Sequence, residues 1–269
     1  MGVNNKNDLG ADMGKSIAFL YGFVSYLVFL VVFLYFIGFV GNIYVPKTID
    51  SGGAGPLGEA VIVNFLLIAL FGVQHTVMPR RGFKEVWIKI VPKSVERSTY
   101  VLISSLLLAL LFWQWRPMTG LVWDVANPTG ATILWALFAL GWGLILLSSF
   151  LINHFELFGL SQVIANLLGK APPKHEFRQP FLYRMVRHPL LLGWVIAFWA
   201  TPSMTTGHLL FAAGMTVYIL IAIPYEERDL ESYLGDAYRD YQRQVPKLVP
   251  FAKPRVTAAP IPTSTPEVK

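Results

Sequence analysis

The chain of 269 residues contains no cysteine. This absence excludes disulfides, thiolate metal ligands and any covalent intermediate on a cysteine. Charged residues are also scarce, at 14% of the chain, whereas 54% of the residues are hydrophobic and the mean hydropathy is +0.52. Because few of its helices can face water, the composition predicts an all-α integral membrane protein.

Six apolar stretches have a length and composition compatible with crossing a bilayer. They cover residues 17–40, 60–78, 100–115, 131–152, 190–204 and 209–224. The first is longer than the apolar region of a signal peptide, so we expect a retained helix. The last two are short and lie close together, which leaves open two thin spans or one re-entrant helical hairpin. The sequence therefore predicts a polytopic helical bundle with five or six spans.

Basic residues are distributed unevenly among the connections between these stretches. All 22 Lys and Arg residues except Lys47 and Arg116 fall before the first stretch or after the second, fourth or sixth. Because cytoplasmic connections carry an excess of Lys and Arg, both termini are predicted to be cytoplasmic, in a bacterial inner membrane. Anionic membrane lipid explains the net charge of +6, so no nucleic-acid partner is expected.

One membrane domain, residues 1–251, accounts for most of the chain, because no internal repeat is evident. Residues 252–269 are rich in Pro, Thr and Ala, which is typical of a disordered tail.

A different pattern covers residues 225–245, where apolar side chains recur at helical spacing opposite a charged face. The apolar positions are Leu230, Tyr233, Leu234, Tyr238 and Tyr241. This spacing predicts a cytoplasmic amphipathic helix, acting either as an interfacial anchor or as a lid over a pocket.

Two polar clusters flank the last pair of apolar stretches. Arg187-His188-Pro189 precedes the pair and Glu226-Glu227 follows it. Each cluster alone is ordinary, because Pro favours the first turn of a helix and acidic residues favour a helix amino-terminus. Together they bring a cation and two carboxylates beside apolar walls, which suits a zwitterionic, nucleotide-like cofactor. The five histidines show no close ligand spacing, so no metal site is predicted.

Polar residues also end the second and fourth apolar stretches. Gln74-His75 lies at the end of the second, where a hydrogen bond to a neighbouring helix is the simple alternative to a function. Asn153-His154 begins a polar run after the fourth, where a solvated helix terminus is the alternative. In either place the histidine is a candidate proton acceptor.

Several of these segments resemble the carboxyl-terminal signature of the isoprenylcysteine carboxyl methyltransferase superfamily. The signature is carried by RHP at 187–189 with Gly193, EERDL at 226–230, LGDAYRDY at 234–241 and VPKLVP at 245–250. Four further segments resemble the methanethiol S-methyltransferases within that superfamily. They are QHTVM at 74–78, ERSTY at 96–100, FWQWRP at 112–117 and NHFELFGL at 153–160.

The resemblance implies a membrane enzyme that uses S-adenosylmethionine to convert methanethiol, a small thiol, into dimethyl sulfide. It also implies a cytoplasm-facing cofactor pocket built by the last membrane hairpin and the following helix. The residues carried over to that pocket are Tyr183, Arg187, His188, Leu192, Gly193, Glu226 and Glu227.

Methyl transfer from a sulfonium to a thiolate neutralises two charges, so a dry site with aligned sulfurs favours it. The protein must then deliver the thiolate, and His75 and His154 are the candidate catalytic bases. We expect Gln74, Trp142 and Asn153 to contact the substrate, although core packing is the simpler explanation of the tryptophan.

Two other functions remain open from the residues alone. One is methylation of a larger lipid-borne acceptor, either a prenylated-cysteine carboxylate or a phospholipid amine. The other is a non-enzymatic transporter or haem protein in which His75, His154 and His188 form a conduit or serve as axial ligands.

Overall fold

The computed structural model describes residues 4–53, 55–171 and 177–252, with side chains from residue 12 onward. The predicted disordered tail lies outside these residues except for its first position, Ala252. The described elements run in the order α1 Asn4–Gly41, α2 Leu57–Val77, α3 Arg81–Trp87, α4 Glu96–Gln114, β1 Leu121–Asp124, α5 Pro128–Ile152, α6 His154–Leu157, α7 Leu160–Leu167, a 3-10 helix Phe181–Arg184, α8 Pro189–Trp199, β2 Ser203–Thr205, α9 Thr206–Leu234 and α10 Asp236–Gln244.

Five of the described helices are long and apolar enough to cross a membrane, which confirms the predicted helical membrane bundle. They are Asp12–Gly41 within α1 together with α2, α4, α5 and α9. Two of them, α5 and α9, begin at a residue whose side chain caps the helix. Asn127 caps α5, where its side chain accepts a hydrogen bond from the backbone N–H of Gly130 at 3.1 Å, and Pro128 occupies the first turn.

The last two predicted stretches form a hairpin with unequal arms. Helix α8 has 11 residues, so it rises only about 16 Å. Three irregular residues and the strand β2 continue it, and β2 pairs antiparallel with β1. At one end of the hairpin His188 contacts Glu227, and at the other end β2 leads directly into α9. Extended residues rise more per residue than a helix, so the segment after α8 covers the remaining distance. The short arm therefore runs from the level of Glu227 to the start of α9.

This arrangement brings the start of α1 and the end of α9 to one face of the bundle. Tyr21 donates a hydrogen bond to Thr99 near the start of α4, and Arg80 after α2 pairs with Asp229 near the end of α9. We call this the basic face. The opposite face carries Lys47 and the two short strands.

Aromatic side chains fill the centre of the bundle. The ring of Phe36 is 2% exposed and lies with its centroid within 6 Å of five other rings. These belong to Phe112, Trp142, Trp194, Phe198 and Phe211. Helices α5 and α8 approach closely because Gly141 and Gly193 face each other, and a Cβ at Gly193 would lie 2.8 Å from the carbonyl oxygen of Gly141.

The carboxyl-terminal amphipathic segment differs from the expected single helix. Helix α9 continues through Pro224 to Leu234 and ends at Gly235, whose φ of 61° lies in the left-handed region. Helix α10 then starts in a new direction. Tyr238 is buried, but Tyr233 is 68% exposed, because the break at Gly235 separates the two faces that a continuous helix would have aligned.

Candidate functional site at the basic face

The two polar clusters of the hairpin meet at the basic face, as the sequence predicted. The Nε atom of Arg187 lies 2.8 Å from Oε1 of Glu227, and both side chains are more than nine-tenths buried. Nε2 of His188 lies 3.1 Å from the same carboxylate oxygen. Nδ1 of His188 faces Glu226 Oε2 at 3.8 Å, so the imidazole lies between the two carboxylates. The hairpin brings these groups together because α8 begins at the depth where α9 nears its end.

Arg187 has further partners that the sequence did not indicate. Its Nη1 donates to the carbonyl oxygens of Gln242, at 3.0 Å, and Val245, at 2.5 Å. Its backbone N–H donates to the carbonyl of Pro246 at 2.8 Å. The guanidinium, which the family resemblance assigned to the cofactor pocket, is thus engaged by Glu227 and by the end of α10. It ties the carboxyl-terminal segment to the start of α8.

Lys247 completes this cluster. Its Nζ atom lies 3.4 Å from Oε2 of Glu227, the oxygen that Arg187 does not contact, and its side chain is 43% exposed. The backbone N–H of His188 donates to the carbonyl of Lys247 at 3.1 Å. A positive charge next to the buried pair is therefore still accessible from outside.

Glu226 is the more open of the two carboxylates, with a side chain that is 48% exposed. Four phenols lie close enough to interact with it electrostatically. They belong to Tyr100, Tyr183, Tyr218 and Tyr238. Burial raises the pKa of the Tyr183 phenol, and the negative charge of Glu226 raises it further. The Tyr183 phenol is therefore neutral.

Other residues assigned to the cofactor have packing contacts as well. Tyr183 donates from its hydroxyl to the carbonyl of Ser148 at 3.4 Å and accepts, at its own carbonyl, a hydrogen bond from Tyr241. Gly193 is buried against α5 as described above. Leu192 lies one turn after His188, whose carbonyl accepts the backbone N–H of Leu192 at 3.0 Å.

His75 lies in a polar cluster between α2 and α4. The hydroxyl of Tyr100 is 3.0 Å from its Nε2 and 3.1 Å from its Nδ1, and Ser104 Oγ is 3.2 Å from Nδ1. Ser104 also donates to Oε1 of Gln74 at 3.1 Å. The predicted substrate residue Gln74 thus orders the surroundings of His75. The ring of Tyr218 on α9 lies edge to face with the imidazole at a centroid distance of 6.4 Å, so this cluster adjoins the long arm of the hairpin.

His154 is enclosed at a different place. Its Nδ1 lies 2.9 Å from Ser149 Oγ and its Nε2 lies 2.9 Å from the hydroxyl of Tyr26. Its ring stacks on that of Phe150, with a centroid distance of 4.3 Å and an angle of 7°. Burial lowers the pKa of His154, so its ring is neutral at pH 7. Its hydrogen-bond partners in the described part of the chain come from α1 and α5, and they include none of the hairpin residues.

The remaining two predicted substrate residues lie in structural positions. Trp142 is 4% exposed and packs edge to face against Trp194 with ring centroids 5.2 Å apart. Asn153 is exposed and has a φ of 139°, and it caps α6 because its Oδ1 accepts the backbone N–H of Glu156 at 3.3 Å. Its Nδ2 also donates to Oε2 of Glu156 at 2.8 Å. A substrate contact for either residue stays a prediction.

The structure adds residues that were not assigned from the sequence. Lys247 and Tyr100 both fall within segments that carry the family resemblance, so their spacing contained a signal. No sequence signal pointed to Ser104, because a lone serine in an apolar helix usually donates a hydrogen bond to a backbone carbonyl of its own helix. Within the described ranges no cluster of three or more His, Cys, Asp or Glu residues has the geometry of a metal site.

The chain matches known proteins over most of its length. The NnrU protein family matches residues 64–257. A methanethiol S-methyltransferase of Mycobacterium tuberculosis is 56% identical over 239 residues, which cover 89% of this chain and 98% of the relative. Methanethiol S-methyltransferase 1 of Bradyrhizobium diazoefficiens is 53% identical over 91% of this chain and 86% of its own. Methanethiol S-methyltransferase 2 of the same organism is 52% identical over 88% and 92%. The chain therefore belongs to the NnrU protein family, and these relatives of it are named methanethiol S-methyltransferases.

Proposed function

We propose that this protein is a membrane methyltransferase that uses S-adenosylmethionine to methylate methanethiol to dimethyl sulfide. Support for the reaction comes from relatives that are 52 to 56% identical over nearly the whole chain and carry that activity in their names. The convergence of Arg187, His188, Glu226 and Glu227 at one end of the hairpin is the structural observation that carries the cofactor assignment.

The charges at the basic face fit S-adenosylmethionine, which carries a carboxylate, an ammonium and a sulfonium. Glu226 and Lys247 are both about half exposed, and they offer opposite charges on either side of the buried Arg187–Glu227 pair. We assign the positive groups of the cofactor to Glu226 and its carboxylate to Lys247. Tyr183, His188 and Leu192 form the adjoining wall. When bound, the cofactor supplies a methyl group already activated on a sulfonium.

We assign a supporting role, with no direct contact to the cofactor, to Arg187, Glu227 and Gly193. Arg187 anchors the segment from Gln242 to Lys247, and so it places the Lys247 ammonium. Gly193 allows α8 to lie against α5, which fixes the position of His188 at the helix start. Removing either residue would disturb the pocket by moving its walls.

His75 is the preferred proton acceptor. Both candidate histidines lie between a serine and a tyrosine hydroxyl, but among the described ring contacts only those of His75 reach α9, the helix that carries Glu226 and Glu227. A neutral imidazole near a dry pocket can take the thiol proton and leave the reactive thiolate. The apolar walls of the bundle keep water away from that thiolate, which favours the charge-neutralising displacement.

We place the basic face in the cytoplasm of a bacterial cell, with both termini there. Arg80, Arg97 and Arg187 lie at this face, and cytoplasmic connections carry an excess of Lys and Arg. The proposed cofactor pocket then opens to the compartment that holds soluble nucleotides.

The test uses purified protein in detergent with methyl-labelled S-adenosylmethionine. Methanethiol should give labelled dimethyl sulfide in the headspace, whereas a prenylated cysteine and a phospholipid amine should give no labelled product. His75→Ala should lose turnover by about 10²-fold or more while S-adenosylhomocysteine still binds. Labelled lipid or prenylcysteine product, or the absence of dimethyl sulfide from wild-type protein, would overturn the proposal. If His154→Ala loses turnover and His75→Ala keeps it, the base is His154.

A further inference from the structure

The hydroxyl of Ser104 contacts three groups at once. It lies 3.2 Å from Nδ1 of His75, 3.1 Å from Oε1 of Gln74 and 2.9 Å from the carbonyl oxygen of Tyr100. Ser104 lies on α4 and is 7% exposed, whereas Gln74 and His75 are consecutive residues of α2. A buried serine therefore links the two helices through the imidazole.

The direction of these hydrogen bonds follows from the chemistry of the partners. A hydroxyl has one hydrogen to donate, and both an amide oxygen and a peptide carbonyl can only accept. The hydrogen of Ser104 thus points to Gln74 or to the carbonyl of Tyr100, which leaves an oxygen lone pair facing Nδ1. Nδ1 must then carry the hydrogen of the neutral ring, and Nε2 carries the lone pair.

The amide of Gln74 is held in turn by a neighbouring side chain. Its Nε2 donates to the sulfur of Met78 at 3.0 Å, which directs Oε1 towards Ser104. The hydroxyl of Tyr100 lies 3.1 Å from Nδ1 and 3.0 Å from Nε2 of His75, and it can donate to the backbone carbonyl oxygen of His75 at 3.3 Å. With its hydrogen directed to that carbonyl, the lone pair of Nε2 stays open to the substrate.

We propose that Ser104 is a positioning residue that holds His75 in the tautomer whose Nε2 accepts the proton of the thiol substrate. This inference rests on the proposed function. In the step, the S–H bond breaks, its proton passes to Nε2 and its electron pair stays on the thiol sulfur. That pair forms the new S–C bond while the bond between the methyl group and the sulfonium breaks, with its electrons going to the donor sulfur. The imidazolium releases its proton to water once the products have left.

The groups that face His75 come from three directions. Tyr100 and the charged Arg97 belong to α4, Arg80 follows α2, and Tyr218 belongs to α9. The ring of Phe71 stacks on the imidazole at a centroid distance of 5.0 Å. The hydrogen of Ser104 is directed to Gln74 or to the carbonyl of Tyr100, so its oxygen favours the tautomer with the ring hydrogen on Nδ1.

Ser105 and Ser149 offer matched controls. Ser105 is the next residue of α4, is equally buried and donates to the carbonyl of Val101 at 2.8 Å, so Ser105→Ala removes a comparable bond away from the imidazole. Ser149 donates to the carbonyl of Leu146 at 2.7 Å and contacts Nδ1 of His154, so Ser149→Ala makes the corresponding change at the other histidine.

The experiment measures methanethiol turnover and S-adenosylhomocysteine affinity for these variants across pH. Ser104→Ala should lower kcat roughly tenfold, in keeping with one lost hydrogen bond, with unchanged affinity for S-adenosylhomocysteine. The defect should shrink as the pH rises towards the pKa of the thiol, because solution then supplies the thiolate. Ser104→Thr should restore turnover, and Ser104→Cys, which keeps the volume, should reproduce the defect if Ser104→Ala folds poorly.

Three results would overturn the inference. They are a Ser104→Ala or Ser104→Cys protein as active as Ser105→Ala, a defect that does not change with pH, and a kcat defect confined to Ser149→Ala. If wild-type protein makes no dimethyl sulfide, the proposed function fails and this inference fails with it. If wild-type protein is active and Ser104→Ala matches Ser105→Ala, the inference alone fails.

Discussion

The carboxylate of Glu227 meets the guanidinium of Arg187 at 2.8 Å, although the two residues lie 40 positions apart in the chain. Each side chain is less than a tenth exposed. A buried ion pair of this kind is sensitive to the loss of one partner, since the other charge is then left unpaired in a medium that solvates it poorly. The pair joins the start of α8, the end of α9 and the segment after α10.

Removing one partner of this pair should destabilise the protein strongly. For Glu227→Gln we expect a loss of about 3 to 5 kcal/mol in the free energy of unfolding, because Arg187 and His188 both lose their carboxylate. Glu85→Gln removes the exposed partner of Arg81 and should leave stability unchanged. Thermal denaturation of both variants in detergent checks this. Equal melting temperatures would contradict a stabilising role for the Arg187–Glu227 pair.

Gly193→Ala should act on packing. The added methyl group would lie 2.8 Å from the carbonyl oxygen of Gly141 and 2.9 Å from Ile145, so α8 must move away from α5. We expect a loss of about 1 to 3 kcal/mol in unfolding free energy. Gly143→Ala, on the facing helix α5, meets no atom within 4 Å and serves as the control. A Gly193→Ala protein with normal stability but no cofactor binding would favour a direct contact instead.

Lys247→Met should weaken cofactor binding without unfolding the protein. Its ammonium is 43% exposed and is assigned to the cofactor carboxylate, and a charge-assisted hydrogen bond is worth about 1.5 to 3 kcal/mol. We therefore expect S-adenosylhomocysteine to bind roughly 10- to 100-fold more weakly by calorimetry. Lys170→Met removes an exposed lysine after α7 and should bind as wild type does. Unchanged affinity of Lys247→Met for S-adenosylhomocysteine would contradict the assignment of the cofactor carboxylate to Lys247.

Acidification should destabilise the protein in part through His154. Burial lowers the pKa of this imidazole in the folded state below its ordinary value of 6.5, so the unfolded chain binds the proton more readily. The contribution to stability is complete above pH 6.5 and is lost as the pH falls below that value. Melting temperatures of wild type and His154→Gln, measured from pH 8 to pH 5, should show a smaller acid-induced drop in the variant. Parallel curves would contradict a neutral His154 in the folded state.

Much of the architecture was predictable from the sequence, because a bilayer core accepts long apolar helices and little else. The stretches at 17–40, 60–78, 100–115, 131–152 and 209–224 coincide with parts of α1, α2, α4, α5 and α9, with small differences at their ends. The structure of residues 190–204 was harder to predict, since a short apolar run can be a helix or a strand. The structure uses both, with α8 followed by an extended segment and β2.

The sequence by itself determined that the chain lies in a membrane, that a cation and two carboxylates stand at the ends of the last hairpin, and that the chain resembles thiol methyltransferases. Apolar periodicity and short motifs are local properties, so the amino-acid sequence alone is enough to identify them. Only the tertiary structure decided the pairing of Arg187 with Glu227, the exposure of Glu226 and Lys247, and the serine that faces His75. Those depend on how α2 packs on α4 and α5 on α8, and such contacts arise from the fit of side chains that are distant in the chain.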